Sequence, residues 1–182
     1  MMQSDGKIEQ DEAKLWWAIR VTYNRELKVR DDLEQKGITC FVPMTYVDQL
    51  QQGERVKVLV PAIHNLIFVH LEPSRMRDYK MRTSLPIRYI MDQSTRRPIT
   101  VPERQMQSFM AVTGHPTEPI IYLNPKPGDF SKGDRVRIVA GPLKGVEGVF
   151  VRLKGDRRVV VNIEGVLAVA TTFIHPSLIE KI

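Results

Sequence analysis

Residues 133–153, GDRVRIVAGPLKGVEGVFVRL, contain two strand-like stretches separated by a glycine-rich interruption. Polar and apolar residues alternate on both sides of the interruption, which is typical of half-buried β-strands. The interruption contains Gly141, Pro142, Gly145 and Gly148. Glycine adopts positive-φ conformations without a Cβ penalty, and proline favours turns. The stretch therefore predicts a tight β-hairpin with a bulge.

The chain after this hairpin continues as short runs rich in β-branched residues. RVVVNI (158–163) and LAVATTFI (167–174) are separated by a Glu-Gly turn signal. β-Branched side chains favour strands over helices. Regularly spaced short strands are typical of a small β-barrel, so we expect an all-β barrel over residues 130–182.

The segment before the hairpin separates this barrel from the rest of the chain. Residues 114–128, GHPTEPIIYLNPKPG, contain four prolines and little charge. Prolines favour an extended, semi-rigid spacer over a packed element. We therefore expect a linker at 114–129.

Residues 13–113 carry a mixed pattern of strands and helices. WWAIRVTY (16–23) alternates as a strand does, and NLIFVHL (65–71) is apolar on both faces, as in a central strand. Residues 106–110 place apolar side chains at helical spacing. The pattern predicts an α+β domain at 13–113, preceded by a disordered extension at 1–12.

The composition indicates a protein of the cell interior. The 182 residues include a single cysteine, Cys40, so no intramolecular disulfide can form. No apolar run approaches the roughly 20 residues that cross a bilayer. The net charge of +6 permits contact with nucleic acid or an acidic protein and requires neither. We expect a cytoplasmic monomer without membrane contact.

The sequence carries no pattern of enzyme chemistry. Its four histidines lie far apart and offer no metal-ligand spacing. It contains no phosphate-loop, dinucleotide-binding or nucleophile-elbow motif. Cys40 lies in an apolar stretch, as small buried cysteines do. We expect a protein that is not an enzyme and needs neither a metal nor another cofactor.

Residues 136–150, VRIVAGPLKGVEGVF, resemble the KOW motif. That motif forms a strand–turn–strand unit in the SH3-like barrels of NusG-type transcription factors and of several ribosomal proteins. The resemblance implies that Gly141 and Pro142 make the turn. It also implies that Gly145 permits tight backbone packing and that Gly148 enters the second strand at a bulge. Phe150 and the loop at 154–158 are the features of the barrel that would face a partner.

The N-terminal region is similar to the N-terminal domain of the NusG family. WWAIRV (16–21) is similar to its first strand, and FVPM (41–44) to its second. HNLIFV (64–69) is similar to the P-N-Y-L-F-V run of the RfaH branch. The domain order matches as well, so the resemblance covers residues 14–182. It favours a specialised branch that includes the RfaH and UpxY regulators.

The resemblance implies a transcription elongation factor that binds the clamp helices of the largest RNA polymerase subunit. It would promote antitermination and processive elongation of specific operons. The implied polymerase-binding residues are Trp17, Phe41, Pro43, Leu66 and Phe68. The implied contacts with non-template DNA are Arg20, Arg25 and Lys28. Each apolar candidate also fits a plain core position, and each basic one a solvated face.

The barrel is the second expected binding module. Barrels of this family bind a small-subunit ribosomal protein or the terminator Rho, so the resemblance implies one of these partners. The alternative interpretation is a ribosome-associated KOW protein that binds structured RNA without polymerase. The alternative predicts tight, salt-sensitive RNA binding.

Overall fold

The computed structural model describes residues 12–115, 120–124 and 133–182. The expected extension, apart from residue 12, and most of the expected linker lie outside these ranges.

The N-terminal half is built on one antiparallel sheet with helices on both faces. Its elements are β1 (Leu15–Val21), α1 (Glu26–Gln35), β2 (Thr39–Phe41), β3 (Met44–Gln51), β4 (Glu54–Pro61), β5 (Leu66–Leu71), α2 (Pro73–Arg82), β6 (Ile87–Tyr89), β7 (Thr100–Val101) and α3 (Glu103–Thr113). The sheet order is β2-β5-β1-β6, and β7 also pairs with β1. Strands β3 and β4 form a separate two-stranded ribbon. The sheet with its flanking helices is the α+β arrangement that the sequence predicts.

Helices α1 and α2 cover one face of this sheet. Val29 and Leu33 of α1 and Met76 of α2 pack with Ile19 and Val69 of the central strands in one buried cluster. Because side chains alternate along a strand, the neighbours of Ile19 and Val69 point to the opposite face. Helix α3 covers part of that opposite face.

The C-terminal half is a six-stranded antiparallel sheet. Its strands are β8 (Ile121–Leu123), β9 (Asp134–Ile138), β10 (Glu147–Leu153), β11 (Asp156–Ile163), β12 (Leu167–Ala170) and β13 (Ile179–Lys181), with a 3-10 turn at Pro176–Leu178 before β13. The strand order is β13-β9-β10-β11-β12-β8. Residues 133–182 contain no α-helix, as the β-branched composition leads one to expect.

Strand β8 corrects the interpretation of the linker. The sequence predicts an extended spacer at 114–129, but residues 121–123 pair with β12 and complete the edge of the C-terminal sheet. Ile121 lies opposite Ala170, and Leu123 opposite Ala168. Proline-rich flanks do not prevent the apolar residues between them from adding a strand to an available edge.

Gly145 in the C-terminal hairpin does not have the close-packing role that the resemblance implies. Gly141 turns the chain at φ +84°. Gly145 adopts φ +91°, and no atom lies within 4 Å of a Cβ placed there, so φ rather than close packing requires glycine. Close packing is instead the role of Gly148, where a Cβ would lie 2.8 Å from Val159 Cγ1 and closer still to the carbonyl oxygen of Val160.

A single cluster of buried apolar side chains joins the two halves. It contains Leu66 and Phe68 of β5, Phe109 of α3, Ile163 of β11 and Leu167 of β12. The C-terminal sheet therefore lies against the α3 side of the N-terminal sheet, away from α1 and α2. This arrangement decides which of the candidate residues can meet a partner.

Candidate functional site

The pairing of β1 with β5 builds the α3 face of the N-terminal sheet. Arg20 lies opposite Leu66, Ala18 opposite Phe68, and Trp16 opposite His70. These three pairs share one face, since each pair is two residues from the next. The face is apolar at its centre and polar at both ends.

Trp16 marks the end of this face that is held by α3. Its ring stacks on His70 with 4.6 Å between ring centroids. Its indole N–H donates to Glu103 Oε2 at 2.9 Å, and His70 Nε2 lies 3.8 Å from the same oxygen. The contacts fix the first turn of α3 to β1 and β5.

The structure places Trp17 away from the other expected polymerase-binding residues. Its side chain lies in the core under α1 and α2, where its N–H donates to the carbonyl oxygen of Leu71 at 2.9 Å. It therefore cannot share a surface with Leu66 and Phe68, which point to the other face. Sequence reasoning chose Trp17 and missed Trp16 because alternation alone does not say which of two adjacent tryptophans faces which layer.

Phe68 and Phe41 meet α3 rather than solvent. Phe68 is fully buried, and its ring lies edge-on to Phe109 with 5.4 Å between centroids. Phe41 is half-buried and contacts the same Phe109 ring, 6.1 Å away. Pro43 is buried where β2 ends. Helix α3 thus covers two of the expected contact residues from within the N-terminal half.

Leu66 lies where the two halves meet. A cavity of about 330 Å³ is lined from the N-terminal side by Leu66, Ile63 and Ile90, and from the C-terminal side by Tyr122 and Leu167. Leu66 is 4% exposed in this arrangement. The apolar surface next to β5 is therefore covered by the C-terminal half.

Tyr122 of β8 is an unusual member of this junction. Its hydroxyl is buried and has no hydrogen-bond partner among the described residues. Burial raises the pKa of Tyr122 to about 12. An unpaired buried hydroxyl destabilises the arrangement that buries it.

Polar contacts between the halves are concentrated on α3. The backbone N–H of Glu147 donates to Ser108 Oγ at 3.0 Å, and the Gln105 side-chain amide donates to the carbonyl oxygen of Asn162. The Glu147 carboxylate is held by Arg137 at 2.7 Å within the C-terminal sheet, and Arg104 approaches it to 3.8 Å. Ser108 is 6% exposed, so its contact is shielded from water.

The structure does not bring the three expected DNA-contact residues to one surface. Arg20 lies on the α3 face, directly opposite Arg88 of β6, and lines the cavity at the junction. Arg25 precedes α1 and lies over the Tyr23 ring at 5.8 Å. Lys28 lines a groove between α1 and α2, on the other face of the sheet. One nucleic-acid strand would have to cross the sheet edge to touch all three.

In the C-terminal half, Phe150 and Arg158 are less exposed than expected, whereas residues 154–157 of the loop are exposed. Phe150 is half-buried and packs against the shared core. Arg158 donates to the carbonyl oxygen of Thr171 at 2.7 Å, and its side chain is only 12% exposed. Its cation is therefore used within the sheet.

Phe173 is an exposed aromatic side chain that sequence reasoning missed. It is 53% exposed and lies edge-on to His175, with 6.5 Å between ring centroids. Phe173, His175, Arg152 and Arg157 line a surface hollow of about 360 Å³. Phe173 lies in the apolar run LAVATTFI, which is typical of a buried strand, so no sequence signal indicated that its side chain is exposed.

The described residues hold no cluster of histidine, cysteine and acidic side chains that could bind a metal. Cys40 is half-buried, and burial raises the pKa of its thiol to about 11, which keeps it protonated and unreactive at neutral pH. In the same ranges no helix is long and apolar enough to span a membrane.

Comparison with known proteins defines the class of this α+β domain as a non-enzymatic transcription factor. The model of the family described as "Transcription termination factor nusG" matches residues 14–110, more than half of the chain. The chain belongs to the NusG family, whose members are elongation and termination factors that bind RNA polymerase.

A solved structure, "Domain interaction in Thermotoga maritima NusG", is similar to this chain at 20% sequence identity and a TM-score of 0.44. The similarity covers 93% of this chain and 97% of that one. None of the curated proteins that were compared matches the sequence.

Proposed function

We propose that this chain binds the clamp helices of the largest RNA polymerase subunit through the apolar surface around Leu66, and thereby promotes processive elongation. The observation that carries the proposal is the surface that Leu66 forms with Ile63 and Ile90, all three inside the family-matched segment 14–110. A helical partner needs such an apolar centre with a polar rim. Arg20 and His64 line the same cavity and supply the rim.

Binding at this surface requires the two halves to separate. Leu167 and Tyr122 occupy the space in front of Leu66, so a helix pair and the C-terminal sheet would compete for it. The described polar contacts across the junction centre on Ser108, Gln105 and Arg104. In this proposal the arrangement described above is a closed form of the factor, and an open form engages polymerase.

The same proposal includes three further points. The chain belongs to the specialised RfaH and UpxY branch, causes antitermination at specific operons, and acts in the cytoplasm as a monomer. After separation the C-terminal sheet recruits a second protein, either a small-subunit ribosomal protein or Rho. The exposed Phe173, with Arg152 and Arg157 beside it, is its most suitable contact. Arg20 and Arg88, directly opposite each other, repel and so favour an anion such as DNA phosphate in the open form.

Capture of purified RNA polymerase by the full chain tests this proposal. The wild type is compared with Ser108→Glu, which is expected to separate the halves, and with Ser108→Glu combined with Ile63→Asp. We expect Ser108→Glu to capture more polymerase than the wild type and the added Ile63→Asp to abolish the gain. Val56→Asp, on the exposed β3–β4 ribbon, is the matched control and leaves capture unchanged.

The contact does not lie at the surface around Leu66 if the Ser108→Glu, Ile63→Asp variant captures as much polymerase as Ser108→Glu alone and has the same circular dichroism. Failure of every form to capture polymerase, together with tight and salt-sensitive binding to structured RNA, would favour the ribosome-associated alternative.

A further inference from the structure

A cavity of about 330 Å³ lies at the junction of the two halves, and both halves line it. The N-terminal half contributes the apolar side chains of Ile63, Leu66 and Ile90. The C-terminal half contributes those of Tyr122 and Leu167. Small-molecule sites are mostly apolar cavities of roughly 300 to 1,000 Å³, and they are common at domain interfaces. The junction therefore has the size, the lining and the position of a small-molecule site.

Arg20 sets the charge of this cavity. It is the only described lining residue with a permanent charge, since the other polar members are His64, Asn65 and Asn124, besides the Tyr122 hydroxyl. No carboxylate of the described residues lies within ion-pair distance of it. An anionic group is therefore the electrostatic complement of the cavity.

The hydroxyl of Tyr122 adds a second hydrogen-bond donor to the junction. It is buried and has no partner among the described residues, although buried hydroxyls are normally bonded. A carboxylate only accepts hydrogen bonds, so it suits a lining that offers a guanidinium and an unpaired hydroxyl and holds no described acidic side chain. The Tyr122 ring also offers an aromatic surface on which a second ring packs favourably.

The lining favours a carboxylate over a phosphate ester. A phosphate group carries about two negative charges at neutral pH. Arg20 alone does not balance them, and the described lining contains no lysine and no second arginine. A single carboxylate matches one guanidinium, and the remaining apolar walls match a ring.

We propose that this cavity binds a small aromatic carboxylate, with the carboxylate held by Arg20 and the ring between the apolar walls of the two halves. Because the ligand contacts both halves, it binds their closed arrangement more tightly than an open one and stabilises the closed form. The ligand and polymerase then oppose each other's binding. Only this opposition rests on the proposed function; the binding site does not.

Titration of the isotope-labelled full chain with cinnamate, followed by amide NMR spectra, tests the site. Cinnamate has one ring and one carboxylate. We expect saturable shifts at residues 63–66 and also at 122–124 and 166–167, which line the cavity from the two halves. Cinnamamide keeps the ring without the charge and should bind about tenfold more weakly, as the loss of one charge-assisted hydrogen bond implies. Inorganic phosphate should not displace cinnamate.

Arg20→Gln removes the proposed carboxylate partner from an exposed position. We expect cinnamate to bind this variant about tenfold more weakly than the wild type, and about as weakly as cinnamamide binds. Arg25→Gln is the matched control, because it removes the same charge from an exposed position of the same half outside the cavity. It should leave both affinities unchanged.

The site is not a carboxylate site if cinnamate binds Arg20→Gln as tightly as the wild type, if phosphate displaces it, or if no cavity residue shifts. Shifts confined to one half would contradict stabilisation of the closed form. Polymerase capture is measured separately, and cinnamate should reduce capture by the wild type but not by Arg20→Gln at the same concentration. The titration contains no polymerase, so binding of cinnamate without capture by any form would refute the proposed function and leave the site standing.

Discussion

The backbone N–H of Glu147 donates a hydrogen bond to the hydroxyl oxygen of Ser108 at 3.0 Å, which joins strand β10 of the C-terminal half to helix α3. The approach of Arg104 to the Glu147 carboxylate adds little, since its side chain is 81% exposed and solvent screens the pair. Ser108 is buried, so its contact is the polar interaction on which the closed form depends most.

Ser108→Glu should open the chain. The new carboxylate would lie beside that of Glu147, and two like charges in a shielded site repel strongly. We expect the radius of gyration from small-angle X-ray scattering to increase while the far-UV circular dichroism stays the same. Gln107→Glu adds the same charge at the exposed neighbouring position of α3, where solvent screens it, and should leave the radius unchanged. An unchanged radius for both variants would show that apolar packing alone holds the halves together.

Tyr122→Phe should stabilise the chain. The substitution removes a buried hydroxyl without a partner among the described residues and keeps the ring that packs in the junction. We expect a gain of about 1 kcal/mol in the free energy of unfolding, measured by urea denaturation. Tyr79→Phe is the matched control with the opposite sign, because the Tyr79 hydroxyl donates to Asp32 at 2.8 Å. Destabilisation by Tyr122→Phe would mean that the hydroxyl has a partner in solution.

The same residue predicts how stability depends on pH in alkali. Burial raises the pKa of Tyr122 from 10 to about 12 in the folded chain. The unfolded chain therefore loses this proton at a lower pH than the folded chain. The free energy of unfolding is not affected by this ionisation below pH 10, and it falls as the pH rises through about 12. Ultraviolet absorbance titration at 295 nm follows the ionisation. Burial also raises the pKa of Tyr79 and Tyr89, so the difference between a chain with Tyr122 and the same chain with Tyr122→Phe isolates the Tyr122 ionisation. In the opened Ser108→Glu variant this ionisation should shift toward pH 10.

The central strand β5 and the Gly141-Pro142 turn could be predicted from the sequence because local signals specify them. The apolar run of β5 and the Gly141-Pro142 turn depend only on their own residues and their immediate neighbours in the chain. The role of Trp16 could not be predicted in the same way. Whether Trp16 or Trp17 faces α3 depends on the β1–β5 register, in which Trp16 lies opposite His70 across 54 residues of chain.

The contact between the two halves could not be predicted from the sequence, for a related reason. Leu66 and Phe173 have similar apolar surroundings in the chain, yet one is covered and the other is 53% exposed. Their exposure is set by how the two halves meet, and no local periodicity encodes that contact. The strand β8 was missed because proline-rich flanks outweigh a three-residue apolar run in any short window.

Gly148→Ala should destabilise the C-terminal half more than Gly145→Ala. A Cβ at position 148 would collide with the backbone oxygen of Val160, which is fixed by the sheet and cannot move aside. We expect a loss of about 2 to 3 kcal/mol, as for overpacking of a core. At Gly145 the cost is only that of a left-handed conformation, about 1 kcal/mol. Thermal unfolding followed by circular dichroism measures both, and equal losses would mean that φ alone governs the two positions.

The last prediction concerns the buried acid that fixes the start of β5. Glu26 is 1% exposed, and its carboxylate accepts the backbone N–H of Asn65, which holds φ +63° immediately before Leu66. Glu26→Ala would leave that N–H unpaired, so we expect a loss of about 2 kcal/mol in the free energy of unfolding by urea denaturation. Glu26→Gln keeps an acceptor oxygen and should lose less than half as much.

Glu34→Ala, an exposed change on the same helix, is the control for Glu26→Ala and should have an effect below about 0.5 kcal/mol. Because Asn65 immediately precedes Leu66, Glu26→Ala should also loosen the apolar surface at the junction. We therefore expect hydrogen exchange to accelerate at residues 63–66 more than at the far end of β5. Uniform acceleration along β5 would instead show that Glu26 supports the whole sheet rather than the start of this strand.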